Sequence, residues 1–130
     1  MAELLKKHIT PDEESLVKVI IEAILEKKGR NIVKIDLKEV KNTVCDYFII
    51  CEGESNTQVN ALAENIDKQT HLIIKNPPHH IEGRENSQWI LLDFFSVVVH
   101  VFQKEQRSFY KLEDLWSDGK LETIHESLKD

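Results

Sequence analysis

Three places in this chain carry residue types that could do chemistry. The first is Gly53-Glu54-Ser55, a turn between an apolar run and a helical pattern. Backbone amides at a helix N-terminus can hold phosphate, but nucleotidyl transfer there also needs paired acids on a neighbouring strand to hold magnesium. Glu54 puts a carboxylate where the phosphate would sit. Asp93 is the only acid between Trp89 and Phe102, and no Asp-x-Asp or Asp-x-Glu occurs there. A helix cap on Ser55 is the commoner use of such a turn.

The second place is the histidines. His79 and His80 are consecutive, so in extended chain they point to opposite sides and share no metal. His100 lies in an apolar strand pattern, where a hydrogen-bonded core histidine is commoner than a ligand or base. No His-x-x-x-His, Cys-x-x-Cys or Gly-x-Ser-x-Gly raises that reading. The third place is Cys45 and Cys51, read in one strand and so separated by roughly 20 Å of rise. They are expected to be buried thiols in a reducing compartment. Nothing assigns Cys51 a base, so no catalytic residue, metal ligand or cofactor is expected.

What stands out instead is the run Trp89-Ile90-Leu91-Leu92-Asp93-Phe94-Phe95. Alternation along a strand prevents these side chains from all facing one small core. Some must meet a helix layer, and the rest can form an aromatic interface centre beside Asp93. The chain has 130 residues, 41% of them hydrophobic and 31% charged, which is the size and make-up of one globular domain. Seventeen Lys and Arg oppose 23 Asp and Glu for a net charge of −6, the wrong sign for a protein that grips phosphate backbones. A basic protein partner suits it better. Neither a signal-peptide core nor a run of roughly 20 apolar residues occurs, so a cytoplasmic setting is expected.

The elements that would position these residues follow an α/β rhythm. Thr10-Pro11-Asp12-Glu13 reads as a capped helix start, Leu16, Val17, Ile20 and Ile24 as its buried stripe, and Gly29 as its stop. Val33, Ile35 and Leu37 alternate as a half-buried strand, and Tyr47 to Cys51 reads as a central one. Ser55 to Gln58 is a capping box opening a helix that buries Val59, Leu62, Ala63 and Ile66. After an irregular stretch from Asn76 and a polar turn over 82–87, Trp89–Asp93 and Val97–Phe102 read as adjacent strands. Residues after Lys104 read as helical or turn-rich, and Lys120 to Asp130 as a last amphipathic turn or two. The expectation is one α/β domain over 1–130, a mixed central sheet flanked by helices, with a core of about 11–117, a lead-in and a tail.

Taken together, these residues resemble the Iojap-like family of ribosomal silencing factors. The first signature is Cys45-Asp46-Tyr47-Phe48-Ile49-Ile50, Gly53-x-Ser55 and Gln58-Val59. The second is Glu82-Gly83, Trp89 to Phe94 and Val97 to Phe102. Arg107, Phe109-Tyr110, Leu112-Glu113 and Leu115-Trp116 close the set, so the resemblance spans Leu16 to Trp116. It implies a nucleotidyltransferase-like core without catalytic acids. It also implies binding to the large ribosomal subunit through ribosomal protein L-fourteen, which blocks subunit joining and represses translation. Large-subunit biogenesis is a close variant, and homodimers are seen in the family.

Two departures from the family pattern stand out. Phe94-Phe95-Ser96 replaces an aromatic, glycine and acid, and Glu52-Gly53 replaces Ser-Gly, adding an acid. The expected docking residues are Trp89, Leu91, Asp93 and Phe95, with Glu82 contributing charge. The reading from another class is a nucleotide-binding or nucleotidyl-transferring enzyme at Gly53–Ser55, and a third is a bare homodimerisation module.

Overall fold

The computed structural model describes residues 13–43, 45–110 and 118–124, with the backbone alone for 108–110. Helix α1 spans Glu13–Glu26 and buries Leu16, Val17, Ile20 and Ile24 as its spacing predicts. The cap expected on Thr10, Pro11 and Asp12 lies outside the described residues. Gly29 closes the helix as expected, but it is not the residue in the left-handed conformation. Lys28 takes that conformation (φ 65°), while Gly29 N–H donates to Ile24 O at 2.9 Å and Lys28 N–H to Leu25 O at 3.0 Å, a Schellman end. Gly29 is needed for space, because a Cβ there would sit 2.4 Å from Ile24 Cγ2.

Strands β1 (Arg30–Asp36) and β2 (Tyr47–Gly53) run antiparallel, with a bulge between Arg30 and Val33. Asn31 occupies the bulge at φ 52°, a conformation asparagine tolerates better than most residues. Cys45 precedes β2 rather than sharing its strand with Cys51. Helix α2 (Asn56–Ile74) buries Val59, Leu62, Ala63 and Ile66, the stripe read from its periodicity. Its capping box is rearranged. Ser55 Oγ accepts from Gln58 N–H at 3.1 Å, but Gln58 Oε1 accepts from Glu54 N–H at 2.7 Å, not from Ser55. Gln58 Nε2 meanwhile donates to Lys27 O and Lys28 O, fastening the start of α2 to the end of α1.

The remaining elements are β3 (His80–Glu82), β4 (Trp89–Asp93), β5 (Val97–Gln103), α3 (Lys104–Tyr110) and β6 (Lys120–Thr123). Among the described residues they complete a six-stranded mixed sheet in the order β3-β4-β5-β2-β1-β6, with β2 and β5 parallel and the other neighbours antiparallel. Lys120–Thr123 opens the stretch that reads as a last amphipathic turn or two. It is an edge strand instead, because its alternating partners Val33 and Ile35 on β1 offer a free ladder. Leu112, Glu113, Leu115 and Trp116, the tail from 125 and the side chains of Phe109 and Tyr110 lie outside the described residues. Gly83 (φ 92°) makes the turn that admits β4, since a Cβ there would meet Trp89 O at 2.0 Å. Among the described residues no helix is long and apolar enough to cross a membrane.

Both long helices lie on one face of the sheet, over Ile49, Cys51, Ile90, Leu92, Val97, Val99 and Val101. Near the start of α1, burial pushes Glu13 up to about 7, helped by a hydrogen bond with the Asp46 carboxyl and by its charge. Glu13 thus binds a proton more tightly folded than unfolded, so its contribution is fully present below pH 4.5 and is lost as pH rises through 7. Glu13→Gln is therefore expected to melt higher than the parent at pH 8, with the gap closing below about pH 5. Solvent screening of this partly exposed pair holds the gain to on the order of 1 kcal/mol. Melting curves across that range check it, and a constant gap at all pH values would show that the carboxyl pair is not its source.

Candidate functional site

The opposite face of the sheet is built from the alternate residues of the same strands. Pairing register lines them up in rows across the sheet. One row runs Glu82, Leu91, His100, Ile50, Val33 and Thr123; a second runs His80, Asp93, Val98, Phe48, Ile35 and Leu121. Trp89 lies opposite Phe102 on the same side and stacks on it, ring centroids 4.9 Å apart at 26°. The centre of this face is buried, and exposure rises toward β4 and β3. Along β4, Ile90 and Leu92 are fully buried against the helices, while Trp89, Leu91 and Asp93 are half-buried on the other side.

Four of the five residues expected to dock therefore share one face: Trp89, Leu91, Asp93 and Glu82. Phe95 sits apart, at the tip of the β4–β5 hairpin. It is 65% exposed at φ 71°, a conformation that is strained for a bulky residue. Two contacts hold it there. Its N–H donates to Asp93 Oδ1 at 2.8 Å, and its ring stacks on His79 with centroids 3.9 Å apart. Asp93 thus has a structural duty, closing the hairpin, besides the charge it presents.

Several residues belonging to this face are not among the docking residues expected from sequence. His80 lies beside Asp93, and its Nε2 is 2.6 Å from Glu82 Oε2. His100 Nδ1 accepts from Trp89 Nε1–H at 3.1 Å, so it is hydrogen-bonded in the core as expected. Burial lowers its pKa to about 4, and the ring is neutral near pH 7. Phe102 underlies Trp89. The available signal was cross-strand alternation: once Trp89 is paired with Phe102, every second residue of both strands follows.

Glu52 is not an added acid on the contact surface. Its carboxylate is buried against Arg107 of α3, with Nη1 3.2 Å from Oε1 and the side chains 10% and 8% exposed for Arg and Glu. Asn31 Nδ2 donates to the other oxygen at 3.0 Å, and Asn31 O accepts from Arg107. The bulge in β1 thus aims one asparagine at both members of the pair, which satisfies a charge pair that burial would otherwise penalise.

At the Gly53–Ser55 turn, the Glu54 and Gln58 amides are engaged by Gln58 Oε1 and Ser55 Oγ, so neither is free for a phosphate. Among the described residues no three His, Cys, Asp or Glu side chains gather in a way that could hold a metal ion. Burial pushes the Cys51 thiol up to about 12, and burial with the Asp46 and Asp93 charges pushes Cys45 up to about 11. Neither is a nucleophilic thiolate at neutral pH.

The class this defines is an α/β protein with a six-stranded mixed sheet, its two long helices against one face and a partly exposed aromatic row on the other. A crystal structure of a protein from Chromobacterium violaceum has this architecture, with a TM-score of 0.75 and 32% identity, over 80% of this chain and 85% of that one. The chain belongs to the family described as "Ribosomal silencing factor during starvation", which matches residues 10–130. The ribosomal silencing factor RsfS of Bacillus subtilis is 37% identical over 113 residues, covering 85% of this chain and 92% of that protein. The mouse protein named "Mitochondrial assembly of ribosomal large subunit protein 1" is 31% identical over 104 residues, 78% of this chain and 45% of that one.

Proposed function

We propose that this protein binds the large ribosomal subunit, through ribosomal protein L-fourteen, and by occupying the joining surface keeps the small subunit away and represses translation. The observation that carries the reading is the half-buried row of Trp89 and Leu91, bordered by Asp93 and Glu82, in a chain of the silencing-factor family. Apolar anchors supply most of the binding free energy at such a face, and the two acids orient a basic partner and speed association. The reading places the protein in the cytoplasm and gives it no catalytic step. Assembly of the large subunit is the neighbouring reading, supported by the name of the mouse relative. Pairing with a second copy is compatible with both, and sedimentation of a Phe95→Glu variant tests whether the hairpin tip takes part.

The direct experiment is co-sedimentation of the purified protein with separated large and small subunits. Pelleting with large subunits alone, and inhibition of subunit joining in the same extract, is the expected result. Pelleting with neither would end the ribosome reading. To isolate the acid's role, Asp93→Asn is a better probe than Asp93→Lys, because the amide oxygen can still accept the Phe95 N–H that closes the hairpin. Asp93→Asn is expected to melt within about 1 kcal/mol of the parent yet bind several-fold more weakly, with a shallower salt dependence. An unchanged salt dependence would remove Asp93 from the contact set.

A further inference from the structure

His100 lies at the centre of the candidate docking face, 4% exposed, between Phe48, Trp89 and Phe102. Its Nδ1 accepts the Trp89 indole N–H, so in the neutral ring the proton sits on Nε2. That Nε2 is buried without a hydrogen-bond partner among the described residues. An orphaned buried donor is destabilising, and a leucine or phenylalanine in this apolar strand would carry no such cost. Trp89 is what the imidazole gains in exchange. Stacking on Phe102 constrains the plane of the indole, and the bond to His100 constrains its rotation within that plane.

We propose that His100 is a positioning residue for the docking face: it locks the Trp89 indole against the sheet, so that the surface offered to the partner is already in its bound shape. Rigid presentation of an aromatic anchor strengthens binding by lowering the ordering cost on association. The assignment rests on the reading that this face docks on the large subunit. It predicts that His100 acts through Trp89 rather than by touching the partner, since the imidazole is buried.

The test compares His100→Leu, which removes the acceptor, with His100→Asn, whose amide oxygen can stand where Nδ1 stood. Trp89→Phe and the His100→Leu/Trp89→Phe double variant complete a cycle. Three readouts are taken: thermal melting, hydrogen exchange of the Trp89 indole N–H by NMR, and affinity for isolated large subunits. His100→Leu is expected to melt cooperatively, to exchange the indole proton at least tenfold faster, and to bind about tenfold more weakly. His100→Asn is expected to recover most of both, and His100→Leu is expected to add little in the Trp89→Phe background. Equal binding by His100→Leu and the parent, or additive losses in the double variant, would overturn the assignment while leaving the docking reading intact. If the parent itself binds no large subunits, the docking reading falls and takes the functional part with it. The indole exchange rate then reports only whether His100 holds Trp89.

Discussion

Arg107→Ala is expected to lower the stability of this protein by about 3–5 kcal/mol, the cost of leaving a buried carboxylate unpaired. Glu52 is that carboxylate, and with Arg107 gone its remaining described partner is the Asn31 amide. The loss is large because α3, β2 and the β1 bulge all meet at this pair, so no single element can move to let water reach the charge. The complementary variant separates charge from packing. Replacing both residues with apolar ones of similar size, Glu52→Leu with Arg107→Met, is expected to return close to the parent, since well-packed hydrophobic substitutes for a buried pair are often neutral. Urea denaturation of the three proteins checks both. A loss under about 1 kcal/mol for Arg107→Ala would mean that water already solvates the pair.

Phe95→Gly is expected to divide stability from binding. The left-handed backbone at Phe95 costs a side-chain-bearing residue roughly 1–2 kcal/mol, and glycine removes that strain. Against this stand the entropy of a glycine, about 0.5–1 kcal/mol, and the lost His79 stack, about 0.5–1.5 kcal/mol. The bond from the residue-95 amide to Asp93 survives, because it belongs to the backbone. Stability should therefore change by less than about 1 kcal/mol. The His79 stack roughly offsets the strain, so the exposed ring adds little net stability, and a contact with the partner is the role tested for it. Affinity for the large subunit is expected to fall about 30-fold, the roughly 2 kcal/mol of a buried aromatic anchor. Unchanged affinity in the same co-sedimentation would place the hairpin tip outside the contact.

Local periodicity made much of the fold legible. The stripe of Val59, Leu62, Ala63 and Ile66 repeats at helical spacing, and the alternation of Trp89 to Asp93 divides that strand between two faces. What the sequence hid depends on distant partners. Glu52 looks like a surface acid because its cation lies 55 residues further on. Lys120–Thr123 has four exposed residues and no pattern of its own, so only its ladder with β1 makes it a strand. The rearranged cap on α2 was hidden for the same reason: the carbonyls that attract Gln58 belong to the end of α1. At the candidate site, Trp89 and Leu91 are proposed from the run of large side chains at 89–95, but His100 as the acceptor for Trp89 required the pairing of β4 with β5.

The parallel pairing of β2 with β5 has a consequence for how the molecule comes into being. Tyr47 finds Val97 only after a fifty-residue excursion has been closed, whereas the pairings of β1 with β2 and of β4 with β5 are sequence neighbours. Contacts of that separation are slow to form, because the chain must lose the entropy of the whole loop first. A nascent chain that has emerged only as far as α2 can pair its first two strands and its two long helices, but it lacks Trp89, His100 and Phe102 altogether. The face that would meet a ribosome is therefore among the last parts to be assembled, after β5 has cleared the exit tunnel of the ribosome that makes it.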